Sequence, residues 1–193
     1  MNEFALISNR REIEHFQLQD TKAVLERGFK YYVGEFYKWL PEYDKVASWL
    51  SDNEKRGLLM FGNNGRGKTI LSMKILPVIF KYYLKKDYYY VDAMNLGEYL
   101  RNDIESYNIL ISTKPIIIDD IGVESMTDFY GDKRDVVSEI IDMCEKRGRL
   151  FIATTNLTPD EIGERYGLRT LDRLKSITRS IKFYGESLRG THD

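Results

Sequence analysis

The 193-residue sequence predicts an α/β protein, a three-layer sandwich around a five-strand parallel sheet. Three observations predict it. Five short apolar runs alternate with stretches of helical periodicity: 57–61 (GLLMF), 88–93 (YYYVDA), 115–120 (PIIIDD), 149–156 (RLFIATTN) and 179–185 (RSIKFYG). A glycine-rich octet follows the first run and opens a helix. The third run ends in two carboxylates, which places polar chemistry at the C-terminal ends of the strands, where open α/β sheets hold ligands.

In chain order, 1–50 reads as a short helical N-terminal extension, polar and aromatic, with a helical patch over 21–40 ended by Pro41. A charged connector (SDNEKRG) leads into the main domain, 51–193. After the first strand comes one helix, KTILSMKILPVIFKYYLKK, which Pro77 is expected to kink or divide because it removes a backbone donor. A single helix over NLGEYLRNDIES follows the second strand, and the link 93–114 leaves little room for another. The third helix, RDVVSEIIDMCEKRG, stops at Gly148. After the fourth strand, Thr158-Pro159-Asp160-Glu161 is a capping box with proline at the first helical position.

Composition excludes several classes. The net charge of −1 rules out a globally basic protein, so nucleic-acid contact must come from local patches or from pooled subunits. The one cysteine, Cys144, excludes an internal disulfide and a cysteine metal cluster, and its helical setting reads as a buried thiol. No apolar run approaches the roughly 18 to 20 residues that span a bilayer, and the N-terminus lacks the apolar stretch of a signal peptide. A cytoplasmic protein without membrane contact is expected. KYYLKKDYYY holds five of the 14 tyrosines; packing and sheet edges are the first reading, base stacking the second.

The chemistry rests on three strand ends. Gly62-Asn63-Asn64-Gly65-Arg66-Gly67-Lys68-Thr69 fits G-x-x-x-x-G-K-[ST] at every specified position and lies between strand and helix. Such glycines let backbone N–H groups curl around phosphate oxygens, and the helix beginning at Lys68-Thr69-Ile70 adds its positive dipole end. Lys68 then reaches the β- and γ-phosphates, and the Thr69 hydroxyl coordinates Mg²⁺. Asp119 anchors the metal, and Asp120 orients the water that attacks the γ-phosphate. Asn156 has no local duty once Thr158 and Glu161 explain the next helix, so it is read as fixing that water or the γ-phosphate. A glycine-rich turn, N-capping carboxylates and turn chemistry are the bland alternatives at these three places. The segment from Gly163 onward carries seven basic residues (Arg165, Arg169, Arg173, Lys175, Arg179, Lys182, Arg189) against four acidic ones; most belong to a solvated face, and one arginine is free to stabilise phosphoryl charge.

Together, GNNGRGKT, IIIDDIGVE, IATTNL, RTLDRL and FYGESLR resemble the AAA+ ATPases, and within them the helicase-loader and transposase-helper (DnaC/IstB-like) group. The resemblance covers roughly residues 55 to 189. It implies ATP and Mg²⁺, sheet order 5-1-4-3-2, and a ring or spiral of identical subunits. It also implies contact with single-stranded DNA and a replicative helicase as partner. By this similarity Asn156 matches sensor 1, and Arg173 matches the arginine finger that completes a neighbour's site, with Arg169 as competitor. Arg189 matches a terminal arginine acting as sensor 2. The few residues after the fifth strand imply little or no helical lid. The alternatives are a transposase helper acting on duplex DNA, a small-molecule phosphotransferase, and a nucleotide-gated binding module.

Overall fold

The computed structural model describes residues 12–34, 37–110, 114–129 and 131–188. The sheet strands are β1 (Gly57–Gly62), β2 (Tyr89–Asp92), β3 (Ile116–Asp119), β6 (Phe151–Thr155) and β7 (Thr178–Phe183). All pair in parallel, in the order β2-β3-β6-β1-β7. Counted along the chain this is 5-1-4-3-2, the expected order. Ile116, Ile117 and Ile118 on β3, and Phe151, Ile152 and Ala153 on β6, are fully buried, as strands covered on both faces must be.

Right-handed crossovers dictate which face each helix takes. The chain leaves β1 through α3 (68–83), moves three places along the sheet to β2, then reverses. The helices that follow therefore cover the opposite face: α4 (Ala93–Asn102), α5 (Ile104–Leu110), α6 (Val136–Arg147), α7 (Pro159–Tyr166) and α8 (Leu168–Ile177). Two helices precede the sheet, α1 (Thr21–Val33) and α2 (Pro41–Ser51). They pack beside α3 and β7, and Leu25, Phe29, Val46, Trp49 and Leu50 bury into the same core as the strands. The helical N-terminal segment thus shares one core with the sheet.

Several local expectations are corrected. Pro41 begins α2 rather than ending a long helix, as suits a residue whose missing N–H is harmless in a first turn; α1 stops at Gly34, in a positive-φ conformation. Pro77 neither ends nor divides α3. The turns Leu71–Ile75 and Ile79–Tyr83 widen to π geometry on either side of it, with Leu76 N donating to Leu71 O. The link after β2 holds two helices, because Asp103 leaves helical geometry and caps the N–H of Ser106. An antiparallel hairpin, β4 (Thr127–Phe129) and β5 (Asp132–Arg134), occupies a stretch to which the sequence assigned no element. The Gly148 stop of α6 and the Thr158–Glu161 capping box of α7 are as read from sequence, and Asp135 caps the start of α6.

Candidate nucleotide site

Three strands end side by side, β3, β6 and β1, and each delivers polar groups to one place. β1 runs into the glycine-rich loop, whose geometry depends on glycine for two separate reasons. Gly65 and Gly67 have φ of 73° and 85°. A Cβ at Gly65 would lie 1.9 Å from Ser187 Oγ, and one at Gly67 2.6 Å from the Tyr43 hydroxyl. The loop is thus pressed between α2 and the segment after β7. That segment is laced to it: Asn63 N donates to Phe183 O (2.8 Å), Asn63 Nδ2 to Gly185 O (3.0 Å), and Leu188 N to Gly65 O (2.9 Å).

Lys68, buried at the start of α3, donates through Nζ to the carbonyls of Gly62 (2.7 Å) and Asn63 (2.8 Å) and to Asn156 Oδ1 (2.9 Å). Asn156 lies just past β6, and its Nδ2 donates to Asp120 Oδ1 at 2.9 Å. One amide therefore bridges the lysine of the loop and the second carboxylate of β3. Asp119, also buried, accepts from Ser72 Oγ (2.5 Å) and Thr154 Oγ1 (2.6 Å) through the same oxygen. Thr154 Oγ1 accepts in turn from the Asp120 N–H at 2.8 Å. That bond holds Asp120 at φ 59°, a left-handed conformation costly for a non-glycine residue. Burial first, then the Asp119 charge, push the Asp120 carboxyl above the usual carboxylate range, while Lys68 pulls it down.

These groups open onto a cleft of about 1190 Å³. Its floor is the glycine-rich loop with Asp120, Thr154 and Asn156, and the N-terminal segments supply an aromatic wall of Phe29, Tyr37 and Tyr43. The residues suit Mg²⁺ carried by a polyphosphate. Asp119 and the Thr69 hydroxyl are hard oxygen donors, and among the described residues no cluster of three or more His, Cys, Asp or Glu could hold a metal alone.

Two residues of the loop motif have partners within the protein. The N–H and side-chain amide of Asn63 are both spent on the 183–185 segment. Arg66 lines the cleft, but its guanidinium pairs with Glu42 of α2 (Nη2 to Oε1, 2.5 Å) and donates to Glu186 O (3.1 Å). Both sides of that ion pair are buried, so Arg66 braces the loop against α2. Gly62, Asn64, Gly65, Gly67, Thr69 and Ile70 remain at the loop or in the cleft lining. Arg173 lies on α8, paired with Asp142 and, through Nε at 3.1 Å, with Glu145, both on α6. Arg169, one turn earlier, is exposed and forms no ion pair among the described residues. Arg189 lies outside the described residues. The sequence reading missed Ser72, Thr154, Glu42 and Tyr43. The first two carried a signal: hydroxyls at buried positions of α3 and β6, where apolar residues are the rule.

No protein-family model matches the chain. It is similar to the replicative helicase loader DnaI of Bacillus subtilis (strain 168), 24% identical over 166 residues, which take in 76% of this chain and 51% of that protein. The chain thus spans about half the length of the curated relative it matches. Among solved structures, the DnaC helicase loader matches with a TM-score of 0.65 at 18% identity, over 82% of this chain and 99% of that one. The replication initiator DnaA bound to AMPPCP and single-stranded DNA matches at 0.54 and 16% identity, over 76% and 47%. The α/β fold around a five-strand parallel sheet is shared with these structures. The resemblance to the DnaC-like helicase loaders, first carried by the motifs, is borne out by both kinds of relative.

Proposed function

We propose that the protein is a replicative-helicase loader, an ATPase whose nucleotide state controls its assembly on helicase and on single-stranded DNA. The observation that carries this reading is the Lys68–Asn156–Asp120 chain at the end of the sheet. It joins the group that would grip the terminal phosphates to the carboxylate that would orient the attacking water, so one amide reads whether the γ-phosphate is there. The loop amides and Lys68 bind the phosphates, and the aromatic wall accommodates the base. Thr69 and Asp119 hold Mg²⁺, which when bound supplies charge neutralisation at the phosphate oxygens. Asp120 accepts the proton of the attacking water, and its raised pKa suits a base that must later release it.

An exposed arginine on α8 belongs in a neighbouring subunit's site, and Arg169 is the better placed because Arg173 is engaged by Asp142 and Glu145. Release of the γ-phosphate weakens that contact and frees the partner. The named relatives favour a helicase over a transposase as that partner. The test is capture of the replicative helicase from the same organism by the full chain with ATP, with ADP, and without nucleotide. Capture that depends on ATP and is lost in Lys68→Ala is the expected result; capture indifferent to nucleotide and to Lys68 contradicts the reading.

A further inference from the structure

The far end of α3 and the outer edge of the sheet share a surface that the nucleotide site does not use. α3 rises from the phosphate loop, so Tyr83 lies about 22 Å from Lys68 along the helix. There the rings are uncovered. Tyr82 is 59% exposed, Tyr83 45% and Tyr90, on the edge strand, 57%. Tyr88 and Tyr90 project from the same face of the edge-strand segment, with centroids 6.3 Å apart, and Tyr88 meets Phe80 of α3 at 6.3 Å. Tyr82 follows Phe80 by two residues on α3, the helix against which Tyr88 packs. Lys81 Nζ stands 5.7 Å from the Tyr82 ring centroid.

The charge is one-sided. Residues 74–90 carry Lys74, Lys81, Lys85 and Lys86 against Asp87 alone. Asp87 pairs with Lys114, and Lys86 with Glu14; Lys74, Lys81 and Lys85 are exposed. Exposed tyrosines gain nothing from the core, and adjoining lysines make the surface unattractive to another cationic or purely apolar partner. Open ring faces beside ammonium groups match unpaired bases and their phosphates, whereas a duplex hides its base faces.

We propose that Tyr82, Tyr88 and Tyr90 form a stacking ledge for single-stranded nucleic acid, with Lys81 and Lys85 meeting its phosphates. The proposal deepens the single-strand contact of the preceding section by placing it at the outer edge of the sheet, away from the nucleotide cleft. The experiment uses the full chain and a fluorescent oligothymidylate of about 15 nucleotides, read by anisotropy across a salt series. Tyr82→Ala/Tyr90→Ala should weaken binding at least tenfold with little change in salt dependence, because each lost stack removes a sequence-independent contact. Lys81→Gln/Lys85→Gln should lower the log–log salt slope by about 1.4. Both variants should keep the wild-type melting temperature and ATP affinity, so failure at the ledge leaves the nucleotide reading standing. Wild-type binding by the tyrosine variant, equal affinity of the ledge for duplex, or loss of self-association with oligonucleotide binding unchanged would each overturn the proposal.

Discussion

At the C-terminal ends of β3 and β6 each polar group faces another polar group; at the outer edge of β2 the rings face outward. Buried Asp119 has two hydroxyl donors, and Asn156, exposed at the cleft, spans a lysine and a carboxylate. Tyr82 and Tyr90 are more than half exposed, and Lys81 stands over the Tyr82 ring. The difference separates two uses of one sheet. The buried end holds a geometry, so small changes there propagate through shared partners. The edge offers a surface, so changes there alter what binds and little else.

Substitutions that break the first region should show the larger effects. Asp120→Asn keeps the shape and the acceptor for Asn156 but removes the base. Turnover should fall by about 10² to 10⁴, with ATP binding retained. The pH dependence has a definite sign. The native carboxyl holds its proton to higher pH than the unfolded one, so the native state binds more protons in the window above about pH 4. Its contribution to stability is therefore lost as pH rises through the raised value. Thermal melts across that window should fall in the wild type more than in Asp120→Asn, and the acid limb of the wild-type hydrolysis profile should lie above the ordinary carboxylate range. Parallel melts and a limb near pH 4 would remove Asp120 from the role of base.

Ser72→Ala is gentler, since Asp119 keeps Thr154. A loss of about 1 kcal/mol in stability is expected from one hydrogen bond. The Mg²⁺ concentration for half-maximal turnover should rise about tenfold, because the carboxylate loses an orienting partner. An unchanged Mg²⁺ requirement would mean that Thr154 alone positions Asp119. Truncation at the ledge, with no change in melting temperature, is the smallest structural effect and completes the contrast.

Much of this was legible in the sequence. The alternation of apolar runs and helices gives the fold class. The glycine spacing before Lys68, the paired Asp119-Asp120 and the idle amide of Asn156 give the centre of the site. What the sequence hid depends on contacts distant along the chain. Arg66 sits inside the loop motif, but its partner Glu42 is 24 residues away, so nothing local shows that it braces the loop rather than the phosphates. The lacing of residues 183–188 to the loop spans about 120 residues for the same reason. The hairpin over 127–134 lacks an apolar alternation, and composition does not show which of the tyrosines are exposed. Pro77 does not divide its helix because a helix can widen locally instead of breaking.

The central claim is that a polyphosphate sits against Lys68 and is read through Asn156. Calorimetric titration of ATP with Mg²⁺ into the wild type, Lys68→Ala and Asn156→Ala tests it most directly. Saturable binding by the wild type and none by Lys68→Ala is predicted, with Asn156→Ala binding ATP but no longer distinguishing it from ADP. Equal ATP affinity in the wild type and Lys68→Ala would contradict the account.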